Sequence, residues 1–152
     1  MKVLIAAIGK AKPSSPQQQL YIDYVKRIPW KIECKEFDIK TPDATQRKIK
    51  EAEALLSACS GYEYIIALDE KGTNLSSREF SQNLGNWQKE GVSSFAFIIG
   101  GADGLNESII RKAKLTWSFG RVTWPHMLVR ALLAEQLYRA HSVISGHPYH
   151  RD

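Results

Sequence analysis

Six uninterrupted apolar residues, VLIAAI from Val3 to Ile8, stand almost at the start of the chain. Such a run predicts a strand covered on both faces, as in a parallel sheet. The pattern then alternates. Ser15-Pro16 reads as a cap and first helical position, opening a helix to Ile28 with Leu20, Tyr24 and Val25 on one face, and Pro29 stops it. Lys31 to Ile39 reads as a second strand with Ile32 and Cys34 inward, and the polar-faced helix after Thr41 ends by Ser60 at Gly61. Tyr64 to Asp69 is a third strand, closed by the turn Glu70-Lys71-Gly72. Ser76-x-x-Glu79 is a capping box, continued by Phe80, Leu84 and Trp87 at helical spacing, with Gly91 behind them.

Ser94 to Gly101 is a fourth strand, Glu107 to Ala113 a short helix, and Leu115 to Gly120 a fifth strand. Pro125 opens the longest helix, whose apolar stripe carries Val129, Leu132, Leu133, Gln136, Leu137, Ala140 and Ile144 before Gly146 ends it. Strict alternation of strand and helix predicts one α/β domain over residues 1–152, with a mainly parallel sheet and helices on both faces. No repeat, linker or low-complexity tract interrupts it.

Composition adds little until its distribution is read. Over 152 residues the net charge is +5, a balance that leans towards polyanionic partners without naming one. Lysines stop at Lys114; beyond it the cations are Arg121, Arg130, Arg139 and Arg151, and all 4 histidines lie there too, at 126, 141, 147 and 150. No apolar run reaches the roughly 20 residues of a membrane span, and the N-terminal stretch lacks a small-residue cleavage site. Cys34 and Cys59 have no C-x-x-C spacing and read as reduced core residues. The expected compartment is the cytoplasm.

Ligands of open parallel sheets bind beyond the carboxyl ends of the strands. Three segments with special chemistry fall there: LDEKG, IIGGADG and SFGRVTWPH. The adjacent Gly100 and Gly101 do not fit G-x-G-x-x-G, and no P-loop occurs, so a tight turn and a ligand loop are both open readings of IIGGADG. HPYH lacks the further ligands a zinc ion recruits, and no metal is expected. His126, in the first turn of the last helix, faces the helix's positive end, which disfavours its protonation; capping is its plainer role. Arg130 follows one turn on, where a small anion could touch both. Glu135 and Arg139 are spaced as a helix ion pair.

Together LDEKG-x-x-x-SS-x-EF, F-x-IGG-A-D-G-L and T-W-P-H-x-L-V-R-A-L-L-A-E-Q-L-Y-R-A, followed by HPYH, resemble the RlmH family, ribosomal RNA pseudouridine methyltransferases of the SPOUT class. The resemblance spans essentially the whole chain, and the C-terminal block is its most specific part. It implies a C-terminal trefoil knot, a homodimer and S-adenosylmethionine as cofactor. By motif position it assigns cofactor binding to Leu68, Gly100 and Gly101, and Phe119, Gly120, Arg121, Val122, Thr123 and Trp124. The implied substrate is a pseudouridine of 23S ribosomal RNA within the 70S ribosome or large subunit, methylated at N3.

An imide nitrogen is a poor nucleophile until it loses its proton, and the charge then spreads onto flanking carbonyl oxygens. That chemistry wants a proton acceptor, a cation near those oxygens and alignment with the methyl donor. His126, Arg130, Tyr149, His150 and Arg151 are the candidate catalytic residues, with Arg130 and Arg151 expected to stabilise negative charge and a histidine or water to take the proton. The tail His147-Pro148-Tyr149-His150-Arg151 is expected to fold over a cofactor pocket, in a dimer over the partner's. Two rival classes are a nucleotide-binding α/β enzyme using IIGGADG for phosphate, and a non-catalytic ribosome-associated factor docking through its basic helix and tail.

Overall fold

The apolar run forms β1 (Lys2–Ile8), and its two neighbours in the sheet explain why both its faces are apolar. The computed structural model describes residues 1–151, in which strands and helices alternate as the pattern predicts. After β1 come α1 (Pro16–Val25), β2 (Lys31–Phe37), α2 (Ala44–Cys59), β3 (Tyr64–Asn74) and α3 (Ser77–Lys89). β4 (Ser94–Ile99), α4 (Glu107–Lys112), β5 (Leu115–Ser118) and α5 (His126–Ser145) complete the order. The five strands form one sheet in the order β2-β1-β4-β3-β5, every pairing parallel, so all carboxyl ends share one edge.

Side chains alternate between two cores. Val3, Ile5, Phe95, Phe97, Ile66 and Trp117 face α1, α3 and α5, where Tyr21, Phe80, Leu84, Leu133 and Leu137 meet them. Leu4, Ala6, Ile98 and Ala67 face α2 and α4 through Leu55, Cys59 and Ile109. Caps fix the helix starts: Ser15 accepts from the Gln18 amide, and Ser76 and Glu79 close a reciprocal capping box. Gly146 ends α5 in the left-handed region, with φ 77°.

Several boundaries differ from the pattern. α1 ends at Val25 rather than Ile28, β2 at Phe37, β4 at Ile99 and β5 at Ser118. On α1 it is Tyr21 that is buried, while Leu20 is exposed, and Ile144 at the end of α5 also reaches solvent. The largest departure is β3. Instead of stopping at Asp69 it continues to Asn74, because β5 pairs with it twice: Trp117 lies opposite Leu68 and again opposite Thr73. Residues 69–72 are the bulge between, and the strand leaves and rejoins the same partner. A bulge of this kind re-aims the chain next to a site.

Gly72 is required there. A β-carbon on it would lie 2.5 Å from the Thr116 carbonyl oxygen, a backbone atom that cannot step aside. Beyond β5, the chain at the sheet edge returns across the carboxyl ends to β1, where His126 and Met127 pack on Gly9. α5 then runs against α1 and α3. Gly72→Ala is expected to cost about 2 kcal/mol or more by forcing the bulge off Thr116. Gly85→Ala, inside α3 with only the Ile144 side chain 3.8 Å away, should instead gain roughly 0.5–1 kcal/mol of helix propensity. Urea unfolding midpoints of the two variants check both signs.

Candidate functional site

The three strand-end segments meet in one cleft of about 790 Å³ at the carboxyl edge of the sheet, within the roughly 300–1,000 Å³ usual for small-molecule sites. Leu68 and the β3 bulge form one wall, the turn 100–105 after β4 another, and the segment from Phe119 to His126 the third. Trp117 closes the floor, stacked on Phe80 at 4.0 Å and edge-on to Phe119 at 4.7 Å.

Backbone geometry explains the glycines. A β-carbon on Gly100 would approach Leu105 Cδ2 at 2.8 Å and the Gly104 backbone at 3.2 Å; one on Gly101 would meet Ile8 Cγ2 at 2.9 Å. The turn is held from outside by Arg47 of α2. Its guanidinium donates twice to Asp103 Oδ2 (3.1 and 2.7 Å) and also to the Thr41 carbonyl. Beneath the turn lies the nearly buried Glu51. Burial, with Asp103 nearby, pushes its carboxyl above the usual range, and Arg47 offsets that only in part.

The third wall is fastened to the first. Thr123 Oγ1 donates to Glu70 Oε2 at 3.2 Å, and the buried Ser118 hydroxyl lies 3.0 Å from the Glu70 carbonyl oxygen and accepts from the Gly120 amide. Trp124 Nε1 donates to the Phe119 carbonyl at 3.1 Å, closing the segment on itself while leaving Val122 and Trp124 partly in solvent. Every residue assigned to cofactor binding from the motifs therefore lines the cleft except Arg121, which points to solvent between Gly120 and Val122.

The candidate catalytic residues divide. His126 lines the cleft half-buried. Burial, and next the positive charge of Arg130, hold its imidazole below the ordinary histidine value, so it is neutral at pH 7 and able to accept a proton. Arg130 does not line the cleft. Only 1% exposed, it pairs through Nη1 with Glu36 and donates through Nη2 to the carbonyls of Ile8 (3.1 Å) and Gly9 (2.6 Å). Its guanidinium is thus spent on the ends of β1 and β2, and no anion reaches both it and His126 without displacing them.

The tail lies elsewhere. Tyr149 donates to Glu135 Oε1 at 3.1 Å, packs edge-on to Tyr138 at 4.6 Å and lies under the Arg139 guanidinium. Burial first, then Tyr24 and Glu135, push its phenol upward. His150 Nδ1 lies 3.1 Å from Arg139, which also pairs with Glu135 as its spacing predicts. Arg151 is exposed. All of this packs on the middle of α5, against Glu135, Tyr138 and Arg139, about 14–20 Å along the helix axis from His126 at 1.5 Å per residue, and none of the described tail lines the cleft.

Glu36, Arg47 and Lys48, which also lines the cleft, are contributions that the motifs did not single out, while Asp103 stands within IIGGADG with no role read from it. Their signal is a charge on a half-buried strand or helix face, and only the assembled sheet shows it to be paired or placed. Among the described residues no group of His, Cys, Asp or Glu could hold a metal ion, and no helix is long and apolar enough to cross a membrane.

The family described as "Predicted SPOUT methyltransferase" matches residues 1–150. Two solved structures share the fold. One, described as a probable methyltransferase from Bordetella pertussis Tohama I, has TM-score 0.62 at 15% identity and covers 91% of this chain and 95% of its own. The other, described as a probable methylase family protein from Haemophilus influenzae Rd KW20, has TM-score 0.61 at 11% identity, covering 99% of this chain and 70% of its own. Parallel sheet, carboxyl-edge cleft and family match together define the class, a SPOUT methyltransferase. Within it the chain belongs to the RlmH family, for two relatives named "Ribosomal RNA large subunit methyltransferase H" match it along nearly their whole length. The one from Paramagnetospirillum magneticum is 50% identical and the one from Rhodospirillum centenum 44%, each over 99% of both chains.

The histidine environment has a measurable consequence. His126 and His141 both titrate below the ordinary value, His126 through burial and Arg130, His141 through burial and His147. The unfolded chain therefore takes up protons first, and the stability these rings contribute is present above about pH 6.5 and lost as pH falls towards their folded midpoints. Imidazole NMR titration should place both midpoints below about 6.5, with urea midpoints falling from about pH 7 to about pH 5. A His126 midpoint at or above the free value would contradict its buried, cation-facing setting.

Proposed function

We propose that this protein transfers a methyl group from S-adenosylmethionine to N3 of a pseudouridine in 23S ribosomal RNA, acting as a cytoplasmic homodimer on the 70S ribosome or large subunit. The observation that carries this reading is the convergence of the three motif segments on a single cleft whose wall holds a neutral histidine. A relative 50% identical and named for large-subunit ribosomal RNA methylation supports the substrate class.

The cleft suits the cofactor. Gly100 and Gly101 let backbone approach a ligand closely, and Leu68, Phe119, Val122 and Trp124 offer apolar cover for a nucleoside. S-adenosylmethionine, when bound, supplies the methyl group on its sulfonium sulfur. In this reading His126 takes the imide proton, a role supported by its lowered pKa and its opening on the same cleft. The chain's return from edge strand β5 to the end of β1 supports threading of the implied trefoil knot.

Tyr149, His150 and Arg151 lie outside the cleft of their own protomer, with Tyr149 and His150 held against the middle of α5, so in this reading they serve the cleft of a second copy. There Tyr149 stacks on a base and Arg151 meets a phosphate or the developing oxyanion. With a net charge of +5, the protein offers few phosphate contacts of its own, which favours an assembled ribosomal surface over naked RNA.

Labelled S-adenosylmethionine incubated with ribosomes lacking the modification, beside free ribosomal RNA, should place label on one pseudouridine of the assembled particle only. Equal labelling of the free RNA would remove the requirement for the ribosome, and no label despite cofactor binding would send the search to another acceptor. Truncation after Gly146 should abolish transfer and leave cofactor affinity within about twofold; loss of folding or of cofactor binding would make the tail structural instead.

A further inference from the structure

A buried arginine is expected to serve substrate charge or to hold structure, and Arg130 touches no cleft surface. What it touches is specific. One guanidinium nitrogen takes both the Ile8 and Gly9 carbonyls; the other takes Glu36 Oε2, and that same oxygen accepts the Ala11 amide at 2.6 Å. The end of β1, the turn after it and the end of β2 are thus gathered onto one side chain of α5.

Gly9 is where this lock meets the site. Its carbonyl is held by Arg130, while its α-carbon faces α5. A β-carbon there would lie 3.3 Å from His126 Nε2 and 3.2 Å from Met127 Cε, on a backbone with φ of +90°. The imidazole is therefore seated against a glycine whose position Arg130 determines.

We propose that the Arg130–Glu36 pair is a positioning device for His126, acting through Gly9 to set the imidazole at the cleft wall. The proposal rests on His126 being the proton-handling group of methyl transfer. A buried ion pair is poor evidence for net stability, because apolar side chains of similar volume often do as well. Arg130 Nε has no partner, a further cost of keeping the group buried. What an apolar pair cannot supply is the directed grip on two carbonyls and an amide-bearing carboxylate.

The charges around His126 are few. Arg130 lies on its own helix, with Glu36 from β2 and Lys10 beside it; across the cleft are Lys48, Asp69, Glu70, Lys71 and Asp103. Burial raises the Glu36 carboxyl, but the Ala11 amide and Arg130 outweigh it and keep the group ionised. The pair is therefore charged at working pH, and removing either partner changes the field at the imidazole in opposite senses.

The test uses the full chain with Glu36→Gln and Arg130→Met. Each is read by His126 imidazole NMR, by cofactor affinity and by the pH dependence of kcat for methyl transfer to ribosomes. Glu36→Gln should lower the His126 midpoint and Arg130→Met should raise it. The acid limb of kcat should follow each shift, kcat should fall about tenfold or more from misplacement of the ring, and cofactor affinity should hold within about twofold. Where Arg130→Met does not fold, Glu36→Gln alone decides. Variants that lose stability with the His126 signals and pH profile unmoved would overturn the proposal. If the signals shift as stated while His126→Gln keeps full kcat, the positioning stands and the role given to His126 in transfer fails.

Discussion

The structure depends on how the chain is fastened after it leaves the edge of the sheet. β5 is an edge strand, yet the helix that follows must cover β1, near the opposite side. Apolar packing along Leu133, Leu137 and Ala140 drives α5 onto the core but is tolerant of sliding. Arg130 removes that tolerance. Its planar fork accepts one arrangement of the Ile8 and Gly9 carbonyls and the Glu36 carboxylate, so the first turn of α5 has one register against the sheet. The segment from Phe119 to Pro125 is then stretched between two fixed points, β5 and that first turn, and forms a wall of the cleft.

The cleft follows the same logic of paired anchors. The β3 bulge leaves and rejoins β5 at Trp117, with Gly72 pressed on the Thr116 backbone between. The glycine turn after β4 is tied by Asp103 to Arg47. Each wall is a loop with both ends fixed on rigid elements, which is how a loop site keeps its geometry.

Much of this was legible in the sequence because it is local. The apolar run of β1, the Ser76 capping box and the glycine stops are written in neighbouring residues, and the structure shows all of them. The three motif loops were legible in the sequence and do converge on one cleft, with Arg121 alone turned away. What was not legible is long-range. LDEKG reads as a turn, and only a second pairing with a strand some forty residues on makes it a bulge. Arg130 reads as a site cation one turn from His126; its true partners lie 94 and 121 residues away. Leu20 looked like a core position because helical periodicity does not distinguish it from Tyr21 when α1 is so weakly amphipathic.

The order of the strands in space has a consequence for the order of events in time. The cleft draws on residues from Lys48 to Val129, and two of its surfaces, the Trp117 floor and the wall to His126, come from the last strand and last helix described. During synthesis, β1 to β4 can pair once they emerge, but the result has an open carboxyl edge and no third wall. A complete cleft is therefore a property of the finished chain, and a nascent polypeptide still tethered at its C-terminus has no third wall for a ligand to close against.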